Sequence, residues 1–243
     1  MATAYLVDVV FQPVTAKAEA RPALVRITHW IFTLSFFGLA ISGFAIVLVH
    51  PHFYWGEAGN AGTPALFSLP VHPPVLFGLP ERTIVGGLSG RGRHLHFQSA
   101  WFAMLSGLVY VIFGMLSQHF RNQLVPTADQ LSWRSLRTAV RDHLSLRTLR
   151  AHQSYNLVQR LTYLFVIFML FPLATLSGFA MSPSITSVFP SLSIAFGGQQ
   201  SARTIHFFLS SLLCLFVVVH VLMICLTGFE KRMRSMMASK EER

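Results

Sequence analysis

The stretch ARTIHFFLSSLLCLFVVVHV, residues 202–221, holds two histidines, His206 and His220, fourteen positions apart with no charged residue between them. At about 100° per residue, that spacing returns both rings to within about 40° of one helix face, about 21 Å apart along the axis. A single imidazole in an apolar helix commonly makes one interhelical hydrogen bond. Two on one face, at opposite depths, fit a further chemistry, in which each supplies half of the ligands of one of two cofactors stacked across a membrane. That scheme requires a second histidine at each depth on another helix. His29 in RITHW stands level with His220, and His94 and His96 in RHLHF stand level with His206. The expected couples are His29 with His220 on the inner side and His96 with His206 on the outer side.

Three of the four expected ligands share one tetrad: Arg26-x-x-His29, Arg93-x-x-His96 and Arg203-x-x-His206. An arginine three residues before the ligand lies about one turn away, toward the aqueous surface in each of these helices. Guanidinium pairs with carboxylates in a planar, bidentate manner, which suits the two propionates of a porphyrin. The tetrad favours His96 over His94, and the two neighbours, about 200° apart on a helix, cannot serve together. Zinc would ask for Cys or carboxylate companions at short spacing, and copper for Met or Cys beside His; the apolar stretches offer neither. One imidazole from each of two facing helices is what iron in a haem requires. With both axial positions filled, such iron exchanges electrons and does not bind oxygen.

These ligands need long apolar helices to carry them. The chain has 243 residues, 53% hydrophobic and 12% charged, with a mean hydropathy of +0.53. Soluble domains carry about 25% charged residues. The deficit is local, because residues 27–49, 94–118, 161–181 and 204–229 contain no Asp, Glu, Lys or Arg. Each is long enough to cross a hydrocarbon core of about 30 Å, and backbone groups in lipid must bond within their own segment. The fold class expected is therefore an all-α integral membrane bundle of four helices in one domain, residues 1–243. Its spans are predicted at about 27–49, 94–118, 158–181 and 204–228.

Charge gives the orientation. Fifteen of the nineteen Lys and Arg residues fall in 1–26, 119–160 and the tail after 230, and four, Arg82, Arg91, Arg93 and Arg203, lie on the other side. Basic loops stay in the cytoplasm, which puts both termini inside and makes 119–157 a cytoplasmic loop. The net charge of +10 thus reports topology and requires no nucleic-acid partner. MATAYLVDVVF lacks the basic start and cleavage site of a signal peptide, so the first span is expected to persist. Cys214 and Cys225 lie about 16 Å apart on one helix, too far to pair with each other. No C-x-x-C-H sequence for covalent haem is present. The proline-rich outer loop 50–93 includes HPHFYWGEAGN, whose Phe53, Tyr54 and Trp55 suit an aromatic belt or a partner surface. In the inner loop, Trp133, Leu136, Val140 and Leu144 share one face and Arg134, Arg137 and Arg141 another, as in a helix lying on anionic lipid. Gly38, Gly43, Gly107, Gly114 and Gly178 are candidates for close helix approach or for space beside a macrocycle.

With RITHW, RHLHF and the two histidines of the last span, the sequence resembles the bacterial di-haem cytochrome b subunits of hydrogenases, formate dehydrogenases and thiosulfate reductases, the bacterial cytochrome b561-like group. The resemblance covers residues from about 21 to 230. It implies two b-type haems in the same couples and electron transfer between a quinone and a redox partner on the outer face of the bacterial inner membrane. SYNLVQRLTY, residues 154–163, is similar to the segment that opens the third span in formate-dehydrogenase-type subunits, with Arg160 in place of a lysine. There the segment lies near the inner haem and the quinone site, which makes Asn156 and Gln159 candidate hydrogen-bond partners for a quinone carbonyl. HPHFYWGEAGN resembles the outer loop of the thiosulfate-reductase-like branch, whose members are often paired with exported molybdenum-cofactor enzymes. An alternative function on the same ligands is direct oxidation or reduction of a small species such as superoxide or ferric iron at the outer haem, attracted by Arg91, Arg93 and Arg203. A haem-free transporter with histidines relaying protons would use the same spans.

The ligand scheme predicts that His220→Ala removes one haem and spares the other, and that His94→Ala leaves both. Pyridine haemochrome analysis of each purified variant measures this.

Overall fold

The computed structural model describes residues 22–59, 62–70, 88–144 and 157–237. Asn156, the stretch MATAYLVDVVF at 1–11, the Gly-rich run before residue 88 and the basic residues Lys17, Arg21, Arg82, Arg147, Arg150, Lys240 and Arg243 lie outside these described residues. The first helix, α1, runs Ala23–Val49. A two-residue hairpin follows, with β1 at His52–Phe53 and β2 at Phe67–Ser68. Then come α2, Leu88–Leu116, the short α3, His119–Gln123, and α4, Trp133–Leu144. Helix α5 spans Leu157–Ala180, the short α6 Pro183–Thr186, α7 Ser191–Ala195, and α8 Gln199–Met237. Four of these, α1, α2 from Gly92, α5, and α8 as far as Leu226, are long and apolar enough to cross a membrane.

Their packing is the reverse of a soluble protein's. Leu34, Ile41, Leu116 and Val218 are among the most exposed side chains, while Thr28, Ser35, Ser42, Ser99, Ser106, Ser177, Ser201 and Thr204 are buried. Lipid solvates the apolar faces, so nothing drives Leu inward, and small hydroxylated residues let backbones approach. Several of these hydroxyls return to carbonyls one turn back: Thr28 to Leu24 at 2.8 Å, Ser35 to Ile31 at 2.7 Å and Ser42 to Gly38 at 2.6 Å. Such bonds keep a hydroxyl from facing hydrocarbon unpaired.

The spans associate as two couples, α1 along α2 and the second half of α5 along α8. A Cβ on Gly38 would collide with Ser99, so this glycine sets the closeness of α1 and α2. Between the couples, contact runs through aromatic rings: Phe32 against Phe171 at 5.0 Å and Trp101 against Phe179 at 6.0 Å. Inside α5, residues Val166–Leu170 form a π turn immediately before Pro172. Proline has no N–H to continue the ladder, and a widened turn is the usual local remedy in a helix that must stay whole in lipid.

At one end of the bundle, the hairpin sits on the first turn of α8. Phe53, 1% exposed, stacks on Phe67 at 4.7 Å and 9° and packs against Phe207 at 4.6 Å. It is therefore core, and of the three aromatics expected at the boundary only Trp55 is well exposed. The main chain of the hairpin caps α8: the Gly56 carbonyl accepts from the amides of Gln200 at 3.0 Å and Ser201 at 3.2 Å. The Glu57 carboxylate accepts from Gln199 N at 3.2 Å. Orphan amides at a helix start and a carboxylate beside the positive end of its dipole explain this docking. At the other end, Arg160 closes the connection after α3, donating to the carbonyls of Leu124 at 3.2 Å and Val125 at 2.7 Å. It also reaches Gln130 at 3.1 Å. Helix α8 kinks at Gly228, φ 117°, and its final turn meets α1 where Trp30 Nε1 donates to the Met236 carbonyl at 3.1 Å.

Gly56 and Gly198 both have positive φ, but a Cβ on Gly198 would strike the Gly56 main chain, whereas one on Gly56 meets nothing within 4 Å. Gly56→Ala should lose about 1–2 kcal/mol from backbone strain, and Gly198→Ala about 1–3 kcal/mol more. Thermal unfolding in detergent, with protease cleavage within 50–70 as a local readout, ranks the two.

Candidate functional site

His96 projects from the first turns of the second span and His206 from those of the fourth, and their ring centres are 6.2 Å apart with planes at 70°. The four helices that hold them do so in the same way twice. On α1, the Ser42 hydroxyl lies 3.0 Å from Nδ1 of His96, and Gly43 faces the edge of the same ring. On α5, the Ser177 hydroxyl lies 3.1 Å from Nδ1 of His206, and Gly178 faces that ring. His206 Nδ1 is also 2.9 Å from the Ala174 carbonyl, and His96 interacts with the backbone of Leu39. Leu39 stands three residues before Ser42, as Ala174 stands before Ser177.

Each ring is thus tied through Nδ1 to its own helix couple, and Nε2 is the nitrogen left for the space between the rings. An imidazole nitrogen–metal bond of about 2.0–2.1 Å, with about 1.1 Å more to the ring centre, puts two trans imidazoles about 6.2–6.4 Å apart. The observed separation therefore suits one metal atom between the two nitrogens. Among the described residues no group of three or more His, Cys, Asp or Glu comes together. A bare ion would lack its ligand set here, whereas a metal held in a macrocycle needs only these two side chains.

The other expected site residues are placed as follows. His94 is exposed on α2, turned away from the couple that His96 makes with His206. His29 is exposed on α1, edge-on to Trp30 at 5.6 Å. His220, half-buried on α8, stacks on Phe216 at 5.7 Å and meets Tyr163 edge-on at 6.1 Å. Gln159 is half-buried one turn before Tyr163. Arg26 reaches the Met237 carbonyl at 3.4 Å, and Arg93 is exposed at the hairpin end. Arg203 has work of its own. Its guanidinium donates to the carbonyls of His50 and of His52, the latter at 3.1 Å, and lies over the Phe53 ring at 5.0 Å.

Ser42 and Ser177 are site residues that ligand spacing alone passes over. The signal for them is an internal repeat: ISGFA at 41–45 and LSGFA at 176–180. Together with Arg93-x-x-His96 and Arg203-x-x-His206, it relates α1 to α5 and α2 to α8. In that register the equivalent of His29 is Leu164 and that of His220 is Tyr110, so the second histidine couple is not repeated.

The family model for prokaryotic cytochrome b561 matches residues 20–239. The chain belongs to the prokaryotic cytochrome b561 family. Membership carries b-type haem binding, electron transport and a multi-pass place in the bacterial inner membrane. The chain is also similar to the putative protein-methionine-sulfoxide reductase subunit YedZ1 of Azospira oryzae, 30% identical over 206 residues, which is 84% of this chain and 89% of the relative. No solved structure matches the chain. For this cytochrome b561, the couple of His96 and His206 fits a haem on its own geometry, by ring separation and by the nitrogen each ring leaves unengaged.

At the hairpin end, His50 caps α1, and burial with the nearby charges of Arg203 and Arg93 holds its imidazole below the ordinary range. The folded state therefore favours the neutral ring. As pH falls below about 6.5 the unfolded chain takes up this proton first, so the contribution is present above that pH and lost below it. Protease protection of the hairpin should be flat above about pH 7 and decline below about 6.5, and His50→Gln should flatten the profile.

Proposed function

We propose that this cytochrome b561 carries two b-type haems and passes electrons between the quinone pool and an exported redox enzyme docked on its outer face. The observation that carries the proposal is the 6.2 Å couple of His96 and His206, each ring anchored through Nδ1 by its own helix pair. Haem supplies a one-electron iron couple, and two imidazole ligands leave no open position for oxygen. His29 and His220 are the ligands assigned to the second haem, at the end where α1 begins and α8 ends. The excess of Lys and Arg in 1–26, 119–160 and the tail supports a cytoplasmic position for that end.

What the chain's own residues do follows from their placement. The two helix couples exclude water and present the ligands. Arg26 and Arg93 stand one turn from their histidines and are assigned to haem propionates. Arg203 carries the same offset, and its contacts with the His50 and His52 carbonyls add a second role: it ties the outer haem's helix to the loop that a partner would touch. Gln159 stands one turn before Tyr163, whose ring meets His220, which supports a quinone site there, and Asn156, outside the described residues, is kept as a candidate from the sequence. Arg160 is committed to the Leu124 and Val125 carbonyls, so Gln159 is the hydrogen-bond donor assigned to the quinone.

The relative named as a reductase subunit supports a partner enzyme that takes electrons, and an exported molybdenum-cofactor enzyme is the class proposed. In membranes, a quinol analogue should reduce both haems of the unaltered protein. His220→Ala should abolish quinol-driven reduction, and Gln159→Ala should slow it by about 10- to 100-fold. His96→Ala should leave one haem reducible while stopping delivery to an added outer acceptor. Unchanged quinol reduction in His220→Ala would overturn the scheme.

A further inference from the structure

We propose that Ser42 and Ser177 are positioning residues that fix the tautomer and aim of the two outer imidazoles and through them tune the outer haem's reduction potential. The inference rests on the reading above that His96 and His206 share a haem.

The argument begins with proton bookkeeping. The Ala174 carbonyl can only accept, so at 2.9 Å from it Nδ1 of His206 carries the proton. The Ser177 hydroxyl, 3.0 Å from the same Ala174 carbonyl, donates its own proton there and turns a lone pair to Nδ1 at 3.1 Å. Ser42 repeats this on the other couple: it donates to the Gly38 carbonyl at 2.6 Å and faces Nδ1 of His96 at 3.0 Å. Both rings are then Nδ1–H tautomers with the Nε2 lone pair directed inward. A ring free to flip about its Cβ–Cγ bond would present the wrong nitrogen or the wrong edge.

A hydroxyl that only returns to its own helix is common in membrane spans, and Ser35 is such a case, bonded to the Ile31 carbonyl at 2.7 Å and buried. Ser42 and Ser177 differ in that a histidine of the neighbouring helix meets each, at 2% and 0% exposure. Their occurrence at equivalent places in ISGFA and LSGFA puts one on each side of the ligand couple. A donor hydrogen bond from Nδ1 makes the imidazole a stronger ligand and favours the oxidised metal. Both acceptors here are neutral, a hydroxyl and a main-chain carbonyl, so each ring stays a neutral imidazole and the two sides are matched.

The test is a redox titration of the full-length holoprotein in membranes, with electron paramagnetic resonance of the oxidised form. It uses Ser42→Ala, Ser177→Ala, the double variant, Ser35→Ala as control, and His96→Ala. Each single serine variant should keep both haems and shift the midpoint of one haem upward, changing its oxidised-to-reduced ratio at fixed potential by up to about tenfold, or about 59 mV for one electron. The same haem should respond in both, its low-spin g values should move, and the double variant should hold it about 10- to 100-fold less tightly. Ser35→Ala should match the unaltered protein. If His96→Ala removes a haem while the serine variants match Ser35→Ala in potential and g values, the serine role falls alone. If His96→Ala removes none, the haem assignment falls and the serine role with it.

Discussion

A neutral imidazole has one donor and one acceptor nitrogen, and between apolar helices each unmet nitrogen is a penalty with no water to relieve it. His96 and His206 meet that constraint on one side only within the protein. Their Nδ1 atoms are engaged by Ser42, Ser177 and main-chain carbonyls, which leaves Nε2 as the second nitrogen of each ring to be met. The same demand accounts for the small residues around the rings, because Gly43 and Gly178 bring the backbone of α1 and α5 alongside them at ordinary contact distance. Gly38, by contrast, serves helix approach against Ser99, and Gly114 makes room for Phe120.

The repeat of helix couples divides the molecule into a symmetric end and an asymmetric one. At the hairpin end, equivalent serines and equivalent histidines face each other, so both ligands see the same neighbours. At the other end, the residues equivalent to His29 and His220 are Leu164 and Tyr110. The two histidines there, on α1 and α8, have no counterparts in the repeat, and His220 lies on Phe216 and against Tyr163.

Arg203 joins the symmetric end to the hairpin. It stands one turn from His206 and donates to the carbonyls of His50, at the end of α1, and His52, in the hairpin strand, while Thr204, on the same turn, donates to the Tyr54 carbonyl at 2.7 Å. With Gly56 and Glu57 capping the first amides of α8, the hairpin and the ligand-bearing turn form one unit. The hairpin and the turn that carries His206 are therefore held in fixed register by these hydrogen bonds.

The number of spans and their approximate ends were readable from the chain alone, because charge is excluded from hydrocarbon, and helical spacing set His96 level with His206. The preference for His96 over His94 also came from spacing, and the amphipathic pattern at Trp133–Leu144 is a helix with its arginines exposed. What spacing could not convey is which neighbour a side chain meets. A serine in a membrane helix has the same sequence signature whether it bonds only its own helix, as Ser35 does, or also receives an imidazole from the next, as Ser42 and Ser177 do. Phe53 looked like a boundary aromatic and is buried, and Arg203, expected beside a propionate, clamps the His50 and His52 carbonyls. Those roles were decided by tertiary structure, since a hydrogen bond between residues 54 or 150 positions apart depends on how helices and loops dock, which no local period records.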